Sequence, residues 1–259
     1  MARTIASGKR GTLVDAHVHL HVPANAISDL RQAAAGFTAV GNGENPAAIM
    51  LAERAGYDVF RLLESKLAST GEPESLWFEH DGQRLLIVAG RQIVSAEGLE
   101  VLGLVTRTQI PDGLPVDQVL ARLEEADAIA VLPWGAGKWL GKRGKIVDRL
   151  LARARPGHLF LGDNGGRPGW WQVPQFSIGI PILAGSDPLP LPGSARKIGC
   201  YGSLIGTALS DERPATNLKQ ALRDPATRIA TYGRLTPMFR FIADQARLRM
   251  GRKSMEQPA

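Results

Sequence analysis

The chain has a single cysteine, Cys200, among its 259 residues, which excludes an internal disulfide. A lone cysteine is typical of a reducing compartment, and we expect the protein to be cytoplasmic. No apolar run in the sequence approaches the about 18 residues that a membrane-spanning helix needs, so we expect no membrane partner. The segment Met1–Gly11 carries Arg3, Lys9 and Arg10 without an apolar core, which is not typical of a secretory signal.

Aromatic residues are also scarce, at 6% of the chain, and they do not alternate with basic residues. The sequence has 31 Lys and Arg against 25 Asp and Glu, which gives a formal net charge of +6. This balance favours anionic partners, and we expect a small anionic, phosphorylated substrate. Nucleic acid is not an expected partner, because no nucleic-acid-binding motif accompanies the basic residues.

Histidine is equally rare, yet three of the five histidines fall within five positions, at His17, His19 and His21. They follow the apolar segment Leu13-Val14, which predicts a strand. Alternate residues of a strand point to the same face, so the rings of His17 and His19 converge. Since neutral imidazole commonly binds transition metals, the pair predicts part of a site for one divalent ion, Zn, Mn or Fe. His21 is either a third ligand or part of the rim, and an ordinary half-buried strand is the alternative for all three.

The rest of the chain alternates short apolar strands with amphipathic helices. We predict helices over 26–35, 116–126 and 146–154, with further helices that begin at Asn45-Pro46, Asp224-Pro225 and Thr236-Pro237. Strands are predicted over 37–40, 57–60, 128–132, 159–161 and 180–184. The segments 76–79 and 85–88 flank Asp81-Gly82 and predict a β-hairpin, followed by strands over 92–94 and 99–105.

About seven strand–helix units in one chain favour an α/β fold of the distorted (β/α)7 TIM-like barrel type with a β-hairpin insert. Since no repeat or linker interrupts the pattern, we expect one domain over 1–259. Its barrel core would span about 12–206, with C-terminal helices over about 216–250. In such a barrel, polar residues that follow strands hold the chemistry, which singles out Glu44, Asn164 and Asp187.

A basic loop over 134–145 follows one predicted strand. It does not fit a nucleotide-binding P-loop, because Arg143 stands where that motif needs Ser or Thr. The loop is either solvated or a basic lid in which Lys138, Lys142 and Arg143 bind a phosphate or carboxylate, with Arg196 adding to the same field.

Two adjacent tryptophans, Trp170 and Trp171, follow a glycine-rich segment. Exposed tryptophans stack on sugar or base rings, and buried ones serve as hydrophobic cover. Both alternatives remain open for this pair.

These features together resemble the PHP family (polymerase and histidinol phosphatase). Asp15-Ala16-His17-Val18-His19 is similar to the family's opening Asp-x-His-x-His, and Gly185-Ser186-Asp187 is similar to its closing Gly-Ser-Asp-x-His. The resemblance covers most of residues 12–206. It implies a metal-dependent phosphoesterase on a distorted (β/α)7 barrel.

Several metal ligands of the family have no counterpart in this chain. Gln92 stands at the bridging Glu, Leu132 at the His of a His-Pro pair, and Leu189 at the His after Gly-Ser-Asp. The resemblance therefore carries over three metal ligands, His17, His19 and Asp187. Glu44 or water would complete the coordination of the ion. The resemblance implies a one-metal hydrolase in which Asp187 also acts as general base. The alternative is a catalytically inactive PHP-like barrel that binds a ligand or regulates a partner.

Overall fold

The structure is a computed structural model, and it describes residues 11–41 and 45–256. The strands are β1 (Thr12–Val18), β2 (Ala47–Leu51), β3 (Ala68–Ser69), β4 (Ser75–His80), β5 (Gln83–Val88), β6 (Gly90–Val94), β7 (Glu100–Leu104), β8 (Ile129–Pro133), β9 (Leu159–Asn164), β10 (Ile182–Gly185), β11 (Tyr201–Ile205) and β12 (Ile229–Gly233). The α-helices are α1 (Ala26–Gly41), α2 (Val59–Glu64), α3 (Val116–Glu125), α4 (Gly141–Leu151), α5 (Pro214–Arg223) and α6 (Met238–Glu256).

The strands form two mixed sheets. The first sheet has the order β12-β11-β1-β2-β5-β4-β3, and the second has the order β10-β9-β8-β7-β6. In the first sheet β1 is parallel to β2 and antiparallel to β11, with Leu13 opposite Ala47 and Leu204. In the second sheet β8, β9 and β10 are parallel, whereas β7 is antiparallel to both of its neighbours.

The predicted distorted (β/α)7 barrel is wrong. A barrel closes its strands into one continuous ladder, whereas the described residues form two sheets and no ladder joins β1 to β10. Isolated hydrogen bonds join the two sheets instead. Beside β1 and β10 the Asp187 N–H donates to the His17 carbonyl at 2.9 Å, and beside β2 and β6 the Gln92 N–H donates to the Glu53 carbonyl at 2.8 Å. The cause is the mixed strand order, because antiparallel neighbours leave too few strand–helix units for a ring of seven.

Buried apolar side chains form three clusters, one on the outer face of each sheet and one between the sheets. Leu30 of α1 and Phe60 of α2 pack on the first sheet, and Val119 of α3 packs on the second. Between the sheets lies a cluster that contains Met50 of β2 and Phe160 of β9. Helices α1 to α4 therefore cover the outer faces of the sheets, while the inner faces pack against each other and against α5.

Three predicted elements in the first part of the chain are wrong, and a fourth, the helix from 26, is longer than predicted. The helix predicted over 26–35 continues to Gly41, so the strand predicted over 37–40 belongs to α1. Pro46 precedes the strand β2 rather than a helix, and the strand predicted over 57–60 is the start of α2. Gly36 does not end α1; a Cβ there would lie 2.3 Å from the Ile198 carbonyl oxygen, so glycine permits close packing.

The predicted hairpin is confirmed as β4 and β5, and it belongs to the first sheet instead of forming an insert. Its two turn residues, Asp81 and Gly82, have φ of 49° and 73°, as a two-residue type I′ turn requires. The predicted elements over 116–132 and 146–185 are also confirmed, with shifted ends.

The C-terminal part combines helices with one further strand. The helix start at Thr236-Pro237 is confirmed by α6, whereas the start at Asp224-Pro225 is wrong, since α5 ends there and β12 follows. Among the described residues, no helix is both long and apolar enough to cross a bilayer.

Candidate metal centre

The site begins at the end of β1, where a bulge changes the direction of the side chains. The pairing of β1 with β2 shifts register between Asp15 and Val18. Leu13 and Val18 differ in parity, yet both pack in the cluster that faces α1. The bulge has therefore moved the following alternate positions to the other face, and it directs His17 and His19 towards the second sheet.

Three ligand atoms meet at this end of the two sheets. His17 Nε2 lies 3.1 Å from His19 Nε2, and each of these nitrogens lies 3.6 Å from Asp187 Oδ1. The circle through the three atoms has a radius of about 2.0 Å, which equals the usual Zn–N and Zn–O bond lengths of about 2.0–2.2 Å. The His17, His19 and Asp187 cluster can therefore hold a metal ion.

The backbone around Asp187 fixes its carboxylate at this position. Asp187 has φ of 45°, in the left-handed region that aspartate tolerates better than most residues. Its N–H donates to the His17 carbonyl at 2.9 Å, which ties the end of β10 to β1. Asn164 Nδ2 donates to Asp187 Oδ2 at 3.1 Å and to the Trp134 carbonyl at 2.8 Å. Asn164 thus holds the second carboxylate oxygen and leaves Oδ1 to face the histidines.

The electrostatics of the three groups suit cation binding. Burial, together with the neighbouring His17, lowers the pKa of His19 to about 3, so its imidazole is neutral at neutral pH. Burial alone would raise the pKa of Asp187, but His17 and His19 hold it below its ordinary value. A neutral imidazole and an ionised carboxylate are the forms that bind metals.

A fully buried carboxylate supports the site from behind. Asp15 accepts hydrogen bonds from the backbone N–H groups of Ser186 at 2.8 Å and Gly199 at 2.9 Å. Burial raises the pKa of Asp15 to about 6, although these hydrogen bonds act in the opposite direction. Asp15 therefore ties β1 to the residue directly before Asp187 and to the segment that leads into β11. It is not one of the three clustered ligands.

The ligand cluster adjoins an open pocket of about 630 Å³, although His17 itself is not among the residues that line it. His19, Asp187 and Asn164 line the pocket, and so does Lys138 from the predicted basic loop. Lys138 is not free, because its Nζ forms an ion pair with Glu100. The pocket thus contains four of the residues singled out in the sequence. The charge of one of them, Lys138, is neutralised by the Glu100 carboxylate.

Other predicted site residues lie elsewhere. Lys142 is exposed on α4, and Arg143 donates to the Gly98 and Gly137 carbonyls. Lys142, Arg143 and Arg196 are not among the residues that line the pocket. Glu44 lies outside the described residues, so its predicted ligand role has no structural counterpart here.

The structure separates the alternatives left open for His21 and for the two adjacent tryptophans. His21 Nε2 lies 2.6 Å from the Pro188 carbonyl oxygen, which places it on the rim. Trp171 packs edge to face against Trp134, with ring centroids 5.4 Å apart, and serves as hydrophobic cover. Trp170 stacks on Trp171 but remains exposed.

Besides Glu100, sequence reasoning missed three charged residues of the pocket. Arg54 follows β2, and Asp244 and Arg247 come from α6. The rule that polar residues follow strands would have identified Arg54 if 47–51 had been recognised as a strand. No local signal points to Asp244 or Arg247, because only the tertiary packing of α6 brings them to the pocket.

No family model matches this chain, and no curated protein matches its sequence. The chain is similar to the crystal structure of PsfC from Pseudomonas syringae, with a TM-score of 0.57 and 13% sequence identity over 93% of this chain and 99% of PsfC. At this identity the likeness shows a shared fold and carries no conclusion about chemistry.

Proposed function

We propose that this chain is a hydrolase that holds one divalent ion and acts on a small anionic, phosphorylated substrate. The observation that carries the proposal is the convergence of His17 Nε2, His19 Nε2 and Asp187 Oδ1 on one point, beside an open pocket that His19 and Asp187 line. The motif likeness to the PHP family supports phosphoester chemistry, whereas the barrel implied by that likeness is not part of the proposal.

The donor set indicates which ions fit. Two imidazoles and one carboxylate suit Zn, Mn or Fe better than Mg or Ca, which prefer oxygen ligands alone. Three protein ligands leave coordination positions for water and substrate, as in hydrolytic metal sites. When bound, such an ion would polarise a phosphoryl oxygen and lower the pKa of water.

The residues of the chain have separate tasks in this proposal. Asn164 orients Asp187 through its second oxygen, and the ionised Asp187 also accepts a proton from the attacking water. Arg54 and Arg247 on the pocket wall bind the anionic part of the substrate. Lys138 contributes less positive charge, because Glu100 neutralises it.

Metal analysis and turnover test the proposal together. The purified protein should contain close to one Zn, Mn or Fe per chain, and added metal should stimulate hydrolysis of p-nitrophenyl phosphate or bis(p-nitrophenyl) phosphate. His17→Ala, His19→Ala and Asp187→Asn should abolish both properties, while the exposed His158→Ala, far from the ligands, should change neither. Absence of bound metal together with absence of metal-stimulated turnover would refute the proposal.

One observation favours a second candidate, a ligand-binding protein without turnover. Gln92 and Leu189 line the pocket at positions where the PHP family has metal ligands. Melting temperatures in inorganic phosphate separate the two functions. Stabilisation that persists in His17→Ala supports binding without metal, whereas stabilisation that requires both metal and His17 supports the hydrolase.

A further inference from the structure

Helix α6 has one face that packs on the protein and one that does not. On the inner side Phe241 and Leu248 line the pocket, and Asp244 Oδ2 accepts from Lys197 Nζ at 3.0 Å. On the outer side the side chains are exposed and apolar, and we name them the outer strip, which consists of Met238, Phe239, Ile242, Ala243, Ala246 and Met250. Their spacing places them along one face of the helix.

The exposure of the outer strip is high for large apolar side chains. Phe239 is 75% exposed, and Ile242 and Met250 are 58% and 63% exposed. Trp170, at 62% exposure, stacks on Trp171, whose ring contacts Phe241 at 6.5 Å. An exposed indole ring therefore lies near the start of α6, beside the inner-side Phe241 and not within the outer strip itself. A contiguous apolar surface such as the outer strip marks an interaction site.

The charges beside the outer strip are positive. Arg240 is exposed at its edge, Arg234 is exposed one turn before α6 begins, and Arg247, which also lines the pocket, is exposed between the two sides of the helix. Between Met238 and Met250 the sequence holds three arginines and one acidic residue, Asp244, which faces inward. A partner for this surface must therefore be both apolar and anionic.

We propose that the outer strip of α6 docks the protein on an anionic lipid surface. Exposed apolar side chains can enter the headgroup region of a bilayer while neighbouring arginines meet its anionic headgroups. Tryptophan is enriched at the same depth, which fits Trp170. Each arginine near an anionic bilayer strengthens binding about fivefold.

A second copy of the chain fits this surface less well. Pairing two α6 helices would bring the same arginines of both copies together, and like charges repel. The strip is a single helix face about 20 Å long, which supplies less than the about 800 Å² that each partner buries in a stable protein interface. A lipid surface has no such requirement, because the side chains enter the headgroup region individually.

Co-sedimentation with vesicles tests the proposal on the full chain. The protein should bind phosphatidylglycerol–phosphatidylcholine vesicles, and high salt or pure phosphatidylcholine should reduce binding. Phe239→Ser combined with Ile242→Ser should lower the partition coefficient at least about tenfold, because two apolar side chains no longer enter the bilayer. Arg240→Ala should lower it about fivefold on the anionic vesicles only.

A matched variant controls for the general effect of surface polarity. Ile178 is 53% exposed, similar to Ile242, and lies outside α6, so Ile178→Ser should bind vesicles as the parent chain does. Equal binding of Ile242→Ser and Ile178→Ser would overturn the proposal, and so would a parent chain that ignores anionic vesicles. A dimer in light scattering that Phe239→Ser converts to a monomer would assign the strip to a second copy and would equally overturn it.

Discussion

Gly185 is the position where the two sheets approach each other most closely beside the ligands. A Cβ built on Gly185 would lie 2.4 Å from the His17 backbone nitrogen and 2.6 Å from His17 Cβ, whereas ordinary contacts are 3.4–4 Å. Gly185→Ala therefore requires β10 and β1 to separate by about 1 Å, because the obstructing atoms are backbone and Cβ atoms.

This separation should reduce both stability and metal affinity. Overpacking costs about 1–3 kcal/mol, and contact with backbone places this substitution near about 3 kcal/mol. For a chain of this size, that loss lowers the melting temperature by roughly 6–12 °C. Asp187 follows Gly185 by two residues, so its carboxylate moves away from His17 and His19. Metal affinity should fall about 10- to 100-fold, as when an orienting contact is lost.

Urea denaturation and calorimetric titration with Zn²⁺ measure the two effects. Gly169→Ala is the matched control, because a Cβ there meets its nearest neighbour, Leu235 Cβ, at 3.9 Å. The control should keep its stability within about 0.5 kcal/mol and should bind Zn²⁺ as the parent chain does. If Gly185→Ala unfolds and binds Zn²⁺ like Gly169→Ala, the reasoning about the junction of the two sheets is refuted.

Two further outcomes are expected. Burial and the nearby His17 lower the pKa of His19 to about 3, so below its ordinary value of 6.5 the unfolded chain takes up a proton that the folded chain does not. Acidification from pH 6.5 to 5 should therefore lower the contribution of His19 to the free energy of unfolding of the metal-free protein by about 1–2 kcal/mol, while Asp15, whose pKa is raised by burial, acts in the opposite direction. Urea titrations should find that the parent chain loses about 1–2 kcal/mol relative to His19→Gln over this range. The buried Glu72 carboxylate accepts from the backbone N–H groups of Ala215 at 2.8 Å and Thr216 at 3.1 Å, at the start of α5. Glu72→Ala should cost about 2–3 kcal/mol in urea unfolding, since both N–H groups lose their acceptor, and a cost below about 0.5 kcal/mol would contradict this.

The elements that could be predicted are those with strong local chemistry. Asp81-Gly82 supplies two residues that accept positive φ, so the hairpin is encoded in two positions. His17 and His19 were recognised as a converging pair from their spacing alone. The bulge before them was not predictable, because it is seen only in the pairing of β1 with β2.

The elements that were predicted wrongly depend on tertiary context. The run 47–51 is buried on both faces, and such a run has no period that separates a strand from a buried helix. Gly36 follows the helix predicted over 26–35, and glycine commonly ends helices, but here it lets α1 approach the backbone at Ile198. The N-cap of α2 was overlooked: Asp58 Oδ1 accepts from the Arg61 N–H at 3.3 Å, a signal that the sequence does contain.

The arrangement of sheets was the largest error, and it had a specific source. Counting strand–helix units assumes that each strand is parallel to the next, but β7 is antiparallel to β6 and β8, and β11 is antiparallel to β1 and β12. Strand direction depends on pairings between distant segments. The structure nevertheless brings His17, His19 and Asp187 into one cluster that could hold a metal ion, since the ends of β1 and β10 meet.

The location of the ligands between the sheets has a mechanical consequence. His17 and His19 belong to the first sheet, and Asp187 follows the last strand of the second, so an ion bound by all three would cross-link the sheets. In a chain whose lone Cys200 has no partner for a disulfide, coordination would be the strongest tie across this junction. Chelation should then loosen the two sheets from each other while the ladders within each sheet stay intact.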